Sequence, residues 1–150
     1  MRITAHVWNR QGEHQVLLST GGVERSLTIA PRASGTGSSV NGGELLFLAL
    51  ATCYCNDIYR EGGKRGIGIT SVEVQVTGEF GAEGEPARQI EYSATVVGSA
   101  SEKELLELMA QTDDVTEIQN TVRRGVPVTL SRREAVQGKS GGPGKPSRRQ

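Results

Sequence analysis

The stretch Glu44-Leu-Leu-Phe-Leu-Ala-Leu-Ala-Thr-Cys-Tyr-Cys-Asn-Asp-Ile-Tyr-Arg-Glu61 decides how this chain folds. Its first half, Leu45 to Ala51, is apolar on every side, the pattern of a helix buried all round. From Cys53 onward the pattern becomes one-sided. Tyr54, Cys55, Ile58 and Tyr59 gather on one face, while Cys53, Asn56, Asp57 and Arg60 follow the i, i+3, i+4, i+7 spacing of another. Cys53 thus stands where the buried half ends, on a stripe shared with an amide, a carboxylate and a guanidinium. Both cysteines of the protein lie here, and two helical steps turn a side chain by roughly 200°, so Cys53 and Cys55 point opposite ways and do not bridge.

Upstream, Ile3, Ala5 and Val7 alternate with polar residues as on a half-buried strand. Turn residues Asn9 to Gly12 lead to a second run, His14 to Ser19, and Gly21-Gly22 reads as a hairpin into a third strand carrying Val23, Leu27 and Ile29. Pro31 to Gly43 is rich in Gly and Ser. Its Gly35-Thr-Gly37 lacks the Lys-Ser/Thr of a P-loop and the full dinucleotide spacing, so it is read as a flexible connection. Asn41 or Ser39 caps the helix that follows.

Downstream, Gly62-Gly63 is expected to end the helix, with Lys64 and Arg65 suiting its negative end. Val72, Val74, Val76 and Phe80, then Ile90, Tyr92, Ala94 and Val96, recur at period two on either side of the Gly81–Pro86 loop, as in a long two-stranded ribbon. Ser101 with Glu104 makes a capping box for a helix bearing Leu105, Leu108 and Met109. Asp114 with Glu117 makes another for a helix bearing Val115, Ile118 and Val122. Gly125 stops that helix, and Val126 to Leu130 reads as a last strand, at an edge because of Pro127. The fold class is therefore α+β: a three-stranded N-terminal sheet, a long central helix, a ribbon, two short helices and a final strand. Residues 1–136 form one domain, and 137–150 read as a disordered basic tail rich in Gly, Pro and Ser.

At 150 residues the chain suits one domain, and scarce aromatics leave its core to Val, Leu, Ile and Ala. A formal net charge of zero gives no reason to expect nucleic acid as a partner. The N-terminus lacks the apolar block of a signal peptide, and Leu45 to Cys55 is too short to span a bilayer. A cytoplasmic protein with reduced thiols and no membrane association is expected. So long a ribbon and so apolar a helix are hard to cover in one copy, which predicts a homodimer burying the central helix between subunits.

Two pieces in this order carry a family resemblance: Gly37-Ser-Ser-Val-Asn-Gly-Gly-Glu-Leu-Leu46 leading into Ala49-Leu-Ala-Thr-Cys53, and Thr116-Glu-Ile-Gln-Asn-Thr-Val122 followed by Gly125-Val-Pro-Val128. Over roughly residues 1 to 131 the chain resembles the OsmC/Ohr group, the osmotically inducible and organic hydroperoxide resistance proteins. The resemblance implies an intertwined homodimer with its site at the subunit interface, a cysteine on the central helix that attacks peroxide, an arginine that stabilises its thiolate, a glutamate that orients the arginine, and a second, resolving cysteine. Carried over, the attacking cysteine is Cys53 and the arginine is Arg32, with Arg10 in the first turn as the alternative. This chain departs from the pattern twice. Asn41-Gly42-Gly43 stands where the family has Asn-Pro-Glu, leaving Glu44 as the neighbouring carboxylate, and Thr116 aligns with the resolving cysteine.

Chemistry sets the terms for that implication. A free thiol is only a few per cent ionised at neutral pH, so a reactive Cys53 needs a cation nearby. Arg60 is two turns on, roughly 10 Å along the axis, too far for direct contact, and Glu44 lies about 180° round the helix. Asp57, one turn away, raises the thiol pKa. With no second cysteine on its face, an oxidised Cys53 needs an external thiol as reductant. The expectation is a one-cysteine peroxidase reducing organic hydroperoxides in oxidative stress, through Cys53, Arg32 and Glu44, with Arg10, Thr116, Asn56 and Asp57 as further candidates. The alternative is a non-catalytic dimer of the same fold that binds a small apolar ligand or is structural. No cofactor is implied, and Cys53, Cys55, His6 and His14 have no recognised metal-ligand spacing.

Overall fold

The computed structural model describes residues 1–10 and 12–137. Over them run β1 (Ile3–Arg10), β2 (Glu13–Thr20), β3 (Val23–Ser26), α1 (Gly42–Lys64), β4 (Ile69–Glu79), β5 (Arg88–Gly98), α2 (Glu102–Val115) and α3 (Glu117–Arg123). The α+β order matches expectation up to the end of α3. Strands β1, β2 and β3 form one antiparallel sheet in that order, and β4 with β5 forms the ribbon. Between β2 and β3, Thr20 pairs with Val23 across Gly21 (φ 58°) and Gly22 (φ 87°), the two left-handed residues of a tight hairpin turn that glycine supplies without strain.

Helix α1 starts at a capping box. Asn41 Oδ1 accepts the Glu44 N–H at 2.9 Å, and the Glu44 carboxylate accepts the Asn41 N–H at 2.7 Å. The helix runs through Gly62-Gly63 to Lys64 instead of ending at those glycines. Its stop is Gly66 (φ 69°), where the N–H groups of Gly66 and Ile67 reach back to the carbonyls of Gly63 and Gly62 at 3.2 and 2.9 Å. Gly62 has a packing role: a Cβ there would lie 2.9 Å from Ile69 Cγ1.

The ribbon places Val72 opposite Val96, Val74 opposite Ala94 and Val76 opposite Tyr92. Against that face pack Tyr54 and Ile58 of α1 and Leu108 of α2, all buried. Removing such side chains from water contributes about 1.5–3 kcal/mol each. Gly78, at an irregularity in β4, admits the Phe47 ring of α1, whose Cζ would sit 2.7 Å from an added Cβ.

Four expectations are corrected. Helix α2 extends through Asp114 to Val115, so the Asp114–Glu117 capping box does not form, and Thr116 begins α3 without a side-chain cap. The Asp114 carbonyl instead accepts from Asn120 Nδ2, and the Asp113 side chain is held by Tyr92 and Arg123. Val126 to Leu130 is not a strand and pairs with no strand among the described residues, and Val128 is 99% exposed. In the apolar half of α1 only Leu50 is buried, while Leu48 is 57% exposed. Strand β1 is exposed on both faces, and the three-stranded sheet makes no substantial packing with α1 or the ribbon. In the last three cases the described residues set no further layer against these surfaces. Of the expected tail, residues 138–150 lie outside those described. Among the described residues no helix is long and apolar enough to cross a membrane.

The two adjacent helix glycines are expected to respond oppositely to alanine. Gly63→Ala, with open space around the added methyl, raises stability by about 0.5–1 kcal/mol. Gly62→Ala lowers it by about 1–3 kcal/mol through overpacking against Ile69. Denaturant unfolding of both variants measures the difference.

Candidate functional site

Cys53 lies just past the Leu45–Ala51 apolar run of α1 and is half-buried. One turn on, Asp57 is only 4% exposed, and its Oδ2 accepts from the thiol at 3.6 Å. A further near-turn on, Arg60 Nη1 meets Asp57 Oδ1 at 2.6 Å and Glu117 Oε1 of α3 at 3.6 Å. Arg60 Nε also pairs with Glu61, which Lys64 bonds in turn. At the start of α3 the Ile118 backbone N–H favours the ionised form of the sulfur. Gln119 ties the two helices by donating from Nε2 to the Leu50 carbonyl at 3.0 Å, while its Oε1 is buried without a partner.

The electrostatics follow from these neighbours. Burial pushes the Cys53 thiol pKa up, the Ile118 N–H opposes that, and Asp57 and Glu117 add to the rise. Burial likewise raises the Asp57 carboxyl, with Arg60 pulling it down and Glu117 adding to the rise. The Cys53 thiol thus donates to a buried carboxyl whose other oxygen meets a guanidinium, and both groups are shifted toward their protonated forms.

The other expected site residues are placed elsewhere in the chain. Glu44 is engaged in the helix cap. Arg32 is exposed in the loop closed by the Pro31–Ser38 bridge, its N–H on the Gly37 carbonyl, and Arg10 ends β1 opposite Glu13. Among the described residues no arginine of this chain hydrogen-bonds the Cys53 sulfur. Asn56 is exposed. Thr116 is fully buried, its hydroxyl donating to the Asp113 carbonyl at 3.0 Å, so the position aligned with a resolving cysteine holds a satisfied hydroxyl. Sequence reasoning missed the contribution of α3. Glu117 reads locally as a helix-start acid, and nothing in its spacing announces contact with Arg60.

Cys53 Sγ and carboxylate oxygens of Asp57 and Glu117 lie within 4.8 Å of one another, a donor set of the kind that holds a metal. The Arg60 guanidinium reaches both carboxylates and offsets one of their two negative charges.

On the neighbouring face Tyr54 donates to the Met109 carbonyl at 2.9 Å and meets Tyr92 edge-on at 5.0 Å. Burial pushes the Tyr54 hydroxyl up to about 12. Tyr92 donates to Asp113, which also pairs with Arg123. These groups line an open cavity of about 600 Å³ between β5 and α2.

In a Cys55→Ser background the pH dependence of Cys53 alkylation is expected to centre above the ordinary thiol value of about 8.5. Asp57→Asn removes both a negative charge and the acceptor that favours the protonated thiol, and brings the midpoint down.

Residues 35–131 match the family model described as OsmC-like protein. No curated protein matches the chain. Among solved structures, the OsmC-like protein from Mycoplasma pneumoniae is 18% identical with a TM-score of 0.56, over 80% of this chain and 87% of that one. The OsmC-like protein of unknown function from Vibrio cholerae is 15% identical with a TM-score of 0.54, over 81% and 93%. A hypothetical protein from Aquifex aeolicus is 19% identical with a TM-score of 0.55, over 82% and 86%. At such identities the likeness establishes the fold alone. With that fold shared and the family model spanning most of the chain, this protein belongs to the OsmC-like protein family.

Proposed function

We propose that this protein is a homodimeric, cytoplasmic, thiol-dependent peroxidase that reduces organic hydroperoxides at Cys53 in response to oxidative stress. The observation that carries the reading is the environment of the sulfur. Cys53 is half-buried among a backbone donor, a carboxylate and a guanidinium behind that carboxylate, whereas Cys55 forms no hydrogen bond with a described residue. Membership of the OsmC-like family supports it.

In the reaction the sulfur attacks the distal peroxide oxygen, a sulfur–oxygen bond forms, the O–O bond breaks, and the other oxygen leaves with a proton as the alcohol. Cys53 becomes a sulfenic acid. With Thr116 in place of a second thiol, two equivalents of an external small-molecule or protein thiol return it to the thiol, releasing a disulfide and water. The cation that this reading needs comes from Arg32, or alternatively Arg10, of a second copy. Both belong to the N-terminal sheet and its following loop, and that sheet packs on nothing substantial within its own chain. The bare apolar half of α1 and the unpaired Val126–Leu130 segment support the same intertwined dimer.

A second reading is favoured by one observation, the carboxylate that meets the thiol at 3.6 Å and disfavours the thiolate: a non-catalytic dimer that binds a small apolar ligand or serves as structure. Consumption of cumene hydroperoxide with dithiothreitol or dihydrolipoamide separates the two. The peroxidase reading expects turnover that falls to background in Cys53→Ser and persists in Cys55→Ser. Equal loss of peroxide in all three proteins and in buffer leaves the non-catalytic dimer. Sedimentation tests the assembly: the wild type is expected as a dimer, and Leu48→Glu, placing a charge on the bare face of α1, weakens association by about 3 kcal/mol or more.

A further inference from the structure

We infer that Asp57 is a catalytic residue, the acceptor of the Cys53 proton and its donor to the departing oxygen, and that Arg60 is the positioning residue that keeps Asp57 ready for this task. The inference rests on the peroxidase reading and supplies what it lacks inside one chain. Among the described residues the sulfur has one side-chain partner, Asp57 Oδ2 at 3.6 Å. The other oxygen of that carboxylate is held by Arg60 Nη1 at 2.6 Å. A carboxylate this deeply buried is costly unless it is paired, and here both oxygens are engaged, one by a guanidinium and one by the thiol. The titratable and charged groups facing it are Cys53 and Arg60 from α1 and Glu117 from α3, with Glu61 anchoring the far side of the guanidinium.

A thiol that donates to a carboxylate is normally a poor nucleophile, because the negative charge disfavours the thiolate. A peroxide changes the requirement. Its leaving oxygen departs as a strongly basic alkoxide and must collect a proton as the O–O bond breaks, and a group that takes the thiol proton and hands it on serves both halves of the step. As the sulfur attacks the distal oxygen, its proton passes to Asp57 Oδ2 and from there to the leaving oxygen. The products are Cys53 sulfenic acid and the alcohol, and Asp57 ends as it began, a carboxylate. Two equivalents of external thiol then close the cycle. Arg60 acts through Asp57: paired with one carboxylate oxygen at 2.6 Å, its charge opposes the rise in carboxyl pKa that burial and Glu117 cause, which favours the unprotonated acceptor.

The test is the single-turnover rate of Cys53 sulfenic acid formation by cumene hydroperoxide, followed from about pH 5 to pH 9 in a Cys55→Ser background, beside iodoacetamide alkylation of the same proteins. Alkylation expels iodide, which needs no proton, and so reports the thiolate alone. In the parent protein the shuttle predicts that oxidation stays fast well below the alkylation midpoint, whereas two superimposed pH profiles overturn it. Asp57→Asn is expected to slow oxidation about 10²-fold while making alkylation easier at neutral pH. An unchanged or faster oxidation in a variant with native circular dichroism shows that Asp57 merely burdens the thiol, and the proposal fails. Arg60→Met is expected to move the acid limb of oxidation to higher pH, with Arg60→Lys restoring part of the shift. An acid limb unmoved by Arg60→Met removes Arg60 from the role. A parent protein that alkylates normally but never forms the sulfenic acid defeats the peroxidase reading itself, an outcome distinct from those that defeat only the shuttle.

Discussion

A carboxylate 4% exposed, one helical turn from the cysteine, governs this site. Asp57 cannot stay charged in that position alone, and the arrangement around it follows from that constraint. Arg60 closes on one oxygen, the Cys53 thiol donates to the other, and Arg60 also reaches Glu117 at the start of α3. The same contact ties the first turn of α3 to α1, where the Ile118 N–H opposes the rise in thiol pKa that burial causes. Gln119 fastens the two helices one turn earlier. The cysteine is thus set in a polar nest built from two elements, while the buried face of α1 rests on the ribbon.

Much of the molecule lacks cover within a single chain. The N-terminal sheet is solvated on both faces of β1, the apolar half of α1 leaves Leu48 bare, and the residues after α3 carry apolar side chains with no strand to join. Sequence segments that are apolar at strand or helix period have a driving force of about 25 cal/mol per Å² to find such a layer. A second copy supplies it under the proposed assembly, and the arginines of the N-terminal region then approach the sulfur from outside. The chemistry inside the chain and the assembly around it are separate parts of the account. In the proposed account Asp57 and Arg60 act on the proton and dimerisation completes the walls.

How much of this was legible in the residues depends on how local each signal is. Gly21-Gly22, the Asn41 cap, the Ser101–Glu104 box and the period-two valines of the ribbon each act over a few positions, and each formed as read. The helix stop moved from Gly62-Gly63 to Gly66 because Gly62 answers a tertiary need, the approach of Ile69, which propensity does not encode. Asp114 failed as a cap for a similar reason: Asn120, Tyr92 and Arg123 fix the end of α2 through contacts from other elements. Within the site, the stripe Cys53, Asp57, Arg60 was visible from helical spacing alone. Its link to Glu117 and Ile118 was not, since it depends on how α3 docks on α1.

The most direct measurement is chemical trapping of Cys53. Addition of one equivalent of cumene hydroperoxide to the reduced protein in the presence of dimedone, followed by peptide mass spectrometry, is predicted to place the sulfenic-acid adduct on Cys53 and leave Cys55 unmodified. An unlabelled Cys53 beside unconsumed hydroperoxide would contradict the account.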